Sequence, residues 1–269
     1  MQLKDILLVS DLDGTLIDKS YQIPQCNIDA LMRFRELGGH FVMATGRTRQ
    51  SAGRYVPLIQ PDLPCILLNG TVLYDFGMQR PTDVLSVSPE SLTVLLQSVL
   101  RKFPAAVGVE LFNTNEVAIL CRNRYISNTM TPEVDLPIER LVDFPQPWCK
   151  VLLGCEPQKM FALKTFLQEQ PHEGLQFVFT GPEFLEIMPA GVNKGAALQK
   201  LMKQYGFCRE AVFAAGDYEN DKEMLQTAGF AAVPADGQPQ MQQLADLVTC
   251  PCAEGAVADV VDYLVKHYG

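Results

Sequence analysis

The sequence predicts an α/β protein: a core of parallel strands alternating with helices, interrupted by an inserted α+β module. Three observations carry this expectation. Short apolar runs recur in both ends of the chain, each stopping abruptly at a polar or glycine turn, as buried parallel strands do. Between these runs lie stripes at helical spacing with short connections. In the middle of the chain strands outnumber helices and hairpin signals are frequent, which is the texture of a different module. At 269 residues the chain is long enough for about two domains. The expected division is a core of residues 1–81 and 189–269 with an insertion at 82–188. Insertion at an exposed loop is tolerated because the interrupted ends stay close together.

The elements follow in order. Ile6-Leu7-Leu8-Val9 is a buried strand, too short for a helix. Ile28, Leu31, Met32 and Leu37 give a rough helical stripe that stops at Gly38-Gly39. Phe41-Val42-Met43-Ala44 is a second strand, and Ile66-Leu67-Leu68 with Val72-Leu73-Tyr74 predicts a tight hairpin around Asn69-Gly70. In the insertion, Ser88 is an N-cap with Pro89 in the first turn, and Leu92, Leu95, Leu96 and Val99 form the buried face of that helix. Residues 107–112, 117–120, 151–153, 177–179 and 184–187 read as strands, and a helix covers 160–167. The core resumes with a helix over 195–204, strands at 212–215, 230–233 and 247–249, and a closing helix at 256–263.

Net charge is −9, from 22 Lys and Arg against 31 Asp and Glu, which argues against a general nucleic-acid surface. No apolar run approaches the roughly 18 residues of a membrane span. The start, Met1-Gln2-Leu3-Lys4-Asp5, has neither a basic region nor a cleavage-like site, so no signal peptide is expected and the expected location is cytoplasmic. The eight cysteines are irregularly spaced and read as reduced thiols. Cys250-Pro251-Cys252 lacks partners at zinc-site spacing and reads as an incidental pair. His40, His172 and His267 are too scattered for a histidine metal site.

Four stretches share one property: polar, reactive residues directly after an apolar strand or in a glycine turn. They are Asp11-Leu12-Asp13-Gly14-Thr15, Thr45-Gly46-Arg47, Asn193-Lys194-Gly195 and Gly216-Asp217-Tyr218-Glu219-Asn220-Asp221. Ligands bind at the carboxyl ends of parallel strands, so these residues belong where chemistry is done. Each has an ordinary structural reading alone: turn acids, helix caps, a surface lysine. In this order the functional reading prevails.

The set resembles the haloacid dehalogenase superfamily of phosphohydrolases, with residues 11–16, 45–47, 191–195 and 216–221 standing as its four motifs. The insertion lies between the second and third, where the type IIB subfamily carries its C2B-type α+β cap, and Asn69-Gly70 and Glu254-Gly255-Ala256-Val257-Ala258 are similar to the Cof-like group. The chain departs from that group after Val233, where Pro234-Ala235-Asp236 replaces the usual Gly-Asn pair. The resemblance implies a Rossmann-like core and a Mg²⁺-dependent phosphatase for small phosphorylated metabolites, sugar phosphates or cofactor phosphates, acting as a monomer or weak homodimer.

It further implies a role for each residue. Asp11 is the nucleophile that forms an aspartyl-phosphate, and Asp13 the general acid and then base. Asp11, the main-chain carbonyl of Asp13, and Asp217 bind the metal, with Asp221 orienting them from behind. Thr45, Lys194, Asn220 and the amides around Leu12 and Gly46 hold the phosphate. Arg47 divides evenly between phosphate-side electrostatics and a structural ion pair. The cap closes over the site and meets the leaving group. Its basic cluster Arg122-Asn123-Arg124-Tyr125 reads first as a solvated loop and second as a contact for an anion or sugar. A phosphomutase using the same intermediate and a non-catalytic phosphometabolite binder are the alternatives.

Overall fold

The computed structural model describes residues 1–126 and 131–269. The chain forms two compact units: Met1–Arg47 with Ala52–Thr82 and Asn193–Gly269, and Thr48–Ser51 with Asp83–Val192. Residues 48–51 and 189–192 therefore fall with the inserted unit. The strands, in chain order, are β1 Leu7–Ser10, β2 His40–Met43, β3 Cys65–Leu67, β4 Val72–Asp75, β5 Arg80–Val84, β6 Gly108–Phe112, β7 Val117–Cys121, β8 Glu133–Asp135, β9 Lys150–Gly154, β10 Leu175–Gly181, β11 Phe184–Pro189, β12 Val212–Ala215, β13 Phe230–Pro234 and β14 Leu247–Thr249.

The first unit is built on a five-stranded sheet in the order β14-β13-β12-β1-β2, parallel at every pairing. The central strands β1 and β12 are buried throughout, which is why they read as unbroken apolar runs. An isolated parallel bridge from Ala44 to Ile66 brings β3 beside the end of β2, and β3, β4 and β5 form a separate three-stranded sheet. The β3–β4 hairpin is less tight than the sequence suggests. Its register pairs Leu67 with Val72, and Leu68–Gly70 forms a 3₁₀ turn between them.

The helix Gln25–Glu36 corrects one expectation. Its buried residues are Asn27, Ala30, Leu31 and Phe34, whereas Met32 and Leu37 are about half exposed. The stripe therefore runs one step round the helix from the apolar residues that marked it. Asn27 is fully buried because its side chain donates to the Leu16 carbonyl and accepts from the Ala258 amide.

The inserted unit carries a six-stranded sheet in the order β10-β11-β9-β6-β7-β8. All pairings are antiparallel except β7 with β8, a three-residue strand that the sequence reading missed. The helices Pro89–Lys102 and Pro157–Glu169 cover one face. Leu92, Leu95, Leu96, Val99, Met160, Leu163 and Leu167 pack there against Val109, Leu111, Ala118, Val151, Leu153, Leu185 and Ile187. The expected Ser88 cap is present, its hydroxyl accepting from the Ser91 amide. Arg122 forks to Glu133 and Asp135, and Asn123 ties its loop to the Ala106 and Gly154 carbonyls, so the basic cluster is a braced surface loop.

Candidate active site

Parallel register assembles the site before any side chain is considered. Ser10 at the end of β1 stands beside Ala215 of β12 and Met43 of β2. The next residues along these neighbouring strands are Asp11, Gly216-Asp217 and Ala44-Thr45, so three of the four motifs emerge side by side at one sheet edge. The fourth is delivered by the helix Lys194–Tyr205, whose first residue is Lys194. Asn193 caps that helix, its side-chain oxygen accepting from the Ala196 amide.

Lys194 is fully buried and donates to Asp11 Oδ1 at 2.5 Å and to Asp221 Oδ1 at 2.6 Å. Burial by itself pulls the ammonium pKa down, but the two carboxylates more than offset this and leave it above the ordinary lysine value. Asp11 is pushed well up by burial, Lys194 opposing, with Asp221, Asp217 and Asp13 adding repulsion. Asp217 is pushed up to about 7, first by burial and then by Asp221. Thr15 donates to Asp217 Oδ1 at 3.0 Å. Gly14, at φ +85°, makes room for this carboxylate: a Cβ there would stand 2.6 Å from Asp217 Oδ2. Asp221 is fully buried, and its Oδ2 accepts from the Asp217 and Tyr218 amides.

Asp11, Asp217 and Asp221 bring ligand oxygens within 4.8 Å of one another. Lys194 bonds two of these three acids, and burial together with mutual repulsion holds Asp11 and Asp217 above their usual pKa. A hard divalent cation with oxygen ligands fits this donor set. Asp221 lies within this cluster, with Oδ1 engaged by Lys194 and Oδ2 by two amides. The Asp13 side chain turns elsewhere. It is half exposed and gripped by Arg47, Nε at 2.7 Å on one oxygen and the terminal nitrogen at 2.6 Å on the other. Arg47 therefore takes the ion-pair role, lying also 5.3 and 5.5 Å from the ring centres of Tyr21 and Tyr55.

Thr45 is fully buried, and its Oγ accepts the Arg47 amide at 3.1 Å, which leaves its O–H as the donor. Leu12 is fully buried, its carbonyl taken by the amides of Thr15, Leu16 and Ile17. Asn220 donates to Asn69 Oδ1 at 3.1 Å, and Gly46 lies against the Asn69 amide, where a Cβ would come within 3.0 Å. Thr15 and Asn69 are the site residues to which the sequence reading gave no role. Asn69 is signalled by its αL backbone, φ +56°, in an Asn-Gly pair directly after a strand. The departure at Pro234-Ala235-Asp236 has its own local use: Asp236 Oδ1 accepts the Cys252 amide at 2.8 Å, and the Cys252 thiol reaches the Ile17 carbonyl.

An α/β core with carboxylates from adjacent strand ends, a buried lysine and glycine turns defines a phosphoryl-transfer site. Residues 8–261 match the family of haloacid dehalogenase-like hydrolases. The chain belongs to that family, in its Cof-like group, and is a phosphatase. It is 25% identical over 266 residues to a 5-amino-6-(5-phospho-D-ribitylamino)uracil phosphatase of Bacillus subtilis, covering 96% of this chain and 97% of that one. It is 26% identical over 276 residues to a pyridoxal phosphate phosphatase of Escherichia coli, with 97% and 98% covered. A solved subclass IIB sugar phosphatase shares the fold with a TM-score of 0.81 at 17% identity, over 97% and 99% of the two chains. No helix among the described residues is long and apolar enough to cross a membrane.

Proposed function

We propose that this chain is a Mg²⁺-dependent phosphatase that hydrolyses small phosphorylated metabolites through an aspartyl-phosphate on Asp11. The observation that carries the reading is the cluster of Asp11, Asp217 and Asp221 at the ends of β1 and β12, with buried Lys194 bonded to Asp11 and Asp221. The relatives whose names specify phosphorylated ribityl, pyridoxal and sugar compounds support a small-metabolite substrate. Residues 1–81 and 189–269 are read as the catalytic domain, and 82–188 as the cap that selects the leaving group.

Asp11, Asp217 and the Asp13 carbonyl are the proposed Mg²⁺ ligands, with Asp221 in support, and the bound ion supplies positive charge to the phosphoryl oxygens. Lys194 fixes one oxygen of Asp11. The Asp11 carboxylate attacks phosphorus, a new P–O bond forming as the ester P–O bond breaks, and Asp13 delivers a proton to the departing oxygen. Water then attacks phosphorus and gives its proton to Asp13. The acyl-phosphate P–O bond breaks, releasing inorganic phosphate and restoring Asp11. Thr45 O–H, the amides around Leu12 and Gly46, Lys194 and Asn220 hold the equatorial oxygens, where transition-state charge spreads. Asp13 must let go of at least one Arg47 nitrogen to reach a leaving oxygen.

The test is phosphate release from a panel of sugar and cofactor monoesters with Mg²⁺ and after chelation. Mg²⁺-dependent release is expected. Its absence across the panel overturns the reading, and isomerisation of hexose phosphates without phosphate release assigns a mutase instead.

A further inference from the structure

The Thr45-Gly46 loop, the helix start at Lys194 and the Gly216–Asp221 loop come from distant parts of the chain, and one short turn meets all three. It is Leu68–Gly70, the 3₁₀ turn between β3 and β4. Its main chain holds the first: the Asn69 amide donates to the Thr45 carbonyl at 3.0 Å, and the Leu68 amide to the Arg47 carbonyl at 3.2 Å. Gly70, at φ +101°, lies so close to the second that a Cβ would stand 2.4 Å from the Asn193 carbonyl oxygen. The third is held by a side chain, Asn69 Oδ1 accepting from Asn220 Nδ2 at 3.1 Å. All of these residues belong to the core unit.

Asn69 is 3% exposed and adopts the left-handed conformation, φ +56° and ψ +30°. Glycine satisfies that backbone as readily, so the turn alone does not call for the Asn69 amide. The amide has a second neighbour in Gly46, where a Cβ would come 3.0 Å from Nδ2. Its bond to Asn220 has a chemical consequence. A side-chain amide has two ends of similar shape and opposite polarity: the NH₂ group donates and the oxygen accepts. Asn220 stabilises a phosphoryl oxygen only through the NH₂ end, because the other end sets oxygen against oxygen. Asn69 Oδ1 has no hydrogen to offer, so it receives the NH₂ end alone. One Asn220 N–H is taken by that bond, and the other has no acceptor among the described residues.

We propose that Asn69 is a positioning residue, which holds the Asn220 amide with its free N–H facing a bound phosphoryl group. Asn69 acts through Asn220 and touches no reacting atom. The role deepens the phosphatase reading and rests on that reading for its kinetic arm only.

A double-mutant cycle between positions 69 and 220 tests it. Asn69→Gly removes the side chain and keeps the left-handed turn, while Asn69→Asp keeps both the turn and an acceptor for Asn220. Each is combined with Asn220→Ala. The readouts are the calorimetric dissociation constant of inorganic phosphate with Mg²⁺, and kcat/KM for p-nitrophenyl phosphate. In the parent, Asn220→Ala is expected to weaken both about tenfold, the scale of a hydrogen bond to a charged group. In the Asn69→Gly protein the same change should weaken them less than twofold, because the contact is already lost. In the Asn69→Asp protein it should again weaken them about tenfold, whatever the added charge does to the absolute values. A tenfold effect in all three proteins overturns the proposal, since Asn220 then faces phosphate unaided. An effect below twofold in the parent or in Asn69→Asp overturns it as well. Lost stability lowers the urea midpoint but does not alter what Asn220 contributes, and Asn69→Ser, too short to reach Asn220, replaces Asn69→Gly if that variant does not fold. If the parent hydrolyses no monoester the phosphatase reading falls, while the phosphate-binding cycle still decides the role of Asn69.

Discussion

Each unit of this protein buries one lysine among acidic side chains, and the two arrangements are resolved differently. In the core, Lys194 bridges Asp11 and Asp221, and Asp217 completes a three-carboxylate cluster that fits a divalent cation. In the inserted unit, Lys150 pairs with Glu186, and buried Glu110 stands a strand away, neither of its carboxyl oxygens hydrogen-bonded among the described residues. The core cluster lies at strand ends, where glycine turns and backbone amides add donors: Asp221 alone accepts from two amides. Glu110 lies inside a strand, where the backbone amides are committed to the sheet. Burial of like residues thus yields a metal-ready centre at an edge and an unbonded carboxyl on a face.

The largest expected effect tests the core side of this contrast. Asp11→Asn removes the nucleophile while preserving shape, and phosphate release should fall by about 10⁴-fold or more, as when other enzymes lose the group that acts at the reacting atom. Activity within tenfold of the parent would show that Asp11 does not attack. Next is Lys194→Met, which leaves two buried carboxylates facing each other without their cation. Breaking such a network costs about 3–5 kcal/mol, readable as a lowered urea midpoint. Mg²⁺ should restore part of that loss in the core variant. Lys150→Met, which disturbs no metal cluster, should show no such recovery, and equal rescue of both would mean that Mg²⁺ does not distinguish the two lysine sites.

The two regions also differ in how legible they are in the sequence. Asp11, Asp13, Thr45, Asp217 and Asp221 sit in short contiguous motifs, each at the end of an apolar run, and Lys194 in a glycine turn that opens a helix, so element prediction and site prediction reinforce each other. Register then does the rest, since Ser10, Met43 and Ala215 are neighbours. What stayed hidden depends on long-range pairing. Asn69 is drawn to the site by its amide bonding to the Thr45 carbonyl and by Asn220, contacts that no local pattern reveals. Glu110 within Val107 to Phe112 reads as the polar, outward step of an alternating strand. Both faces of that strand are buried, and the one clue was the apolar character of Phe112 on the same side. β8 was missed because Glu133-Val134-Asp135 is short and acidic, and its place depends on lying parallel to β7.

The pH dependence of stability tests the other side of the contrast. Glu110 ionises near 4.5 when unfolded and at about 7 when folded, so the folded state retains its proton longer. Stability from this group is full below pH 4.5, declines as pH rises, and is lost once pH has passed about 7, a change on the order of 3 kcal/mol. In Glu110→Gln that decline should be absent, so the difference between parent and variant midpoints should grow from pH 4.5 to 7.5 and then level. Parallel curves would mean that Lys150 and Arg122 already offset the burial of the Glu110 charge.

The smallest expected effect concerns Asp13, a motif acid whose side chain is half exposed. Its fork with Arg47 is bidentate, and an exposed pair of this kind contributes little to stability, about 1 kcal/mol or less. Its use is geometric: the guanidinium fixes where the Asp13 carboxyl waits, between two rings that hold Arg47 itself. A lysine keeps the charge but cannot reproduce the planar fork. Arg47→Lys should therefore leave the urea midpoint and KM nearly unchanged and lower kcat about tenfold, a fraction of the 10²–10⁴-fold contribution of a positioned acid–base group. A loss confined to KM would move Arg47 to substrate binding, and an unchanged kcat would show that Asp13 finds its position without the fork.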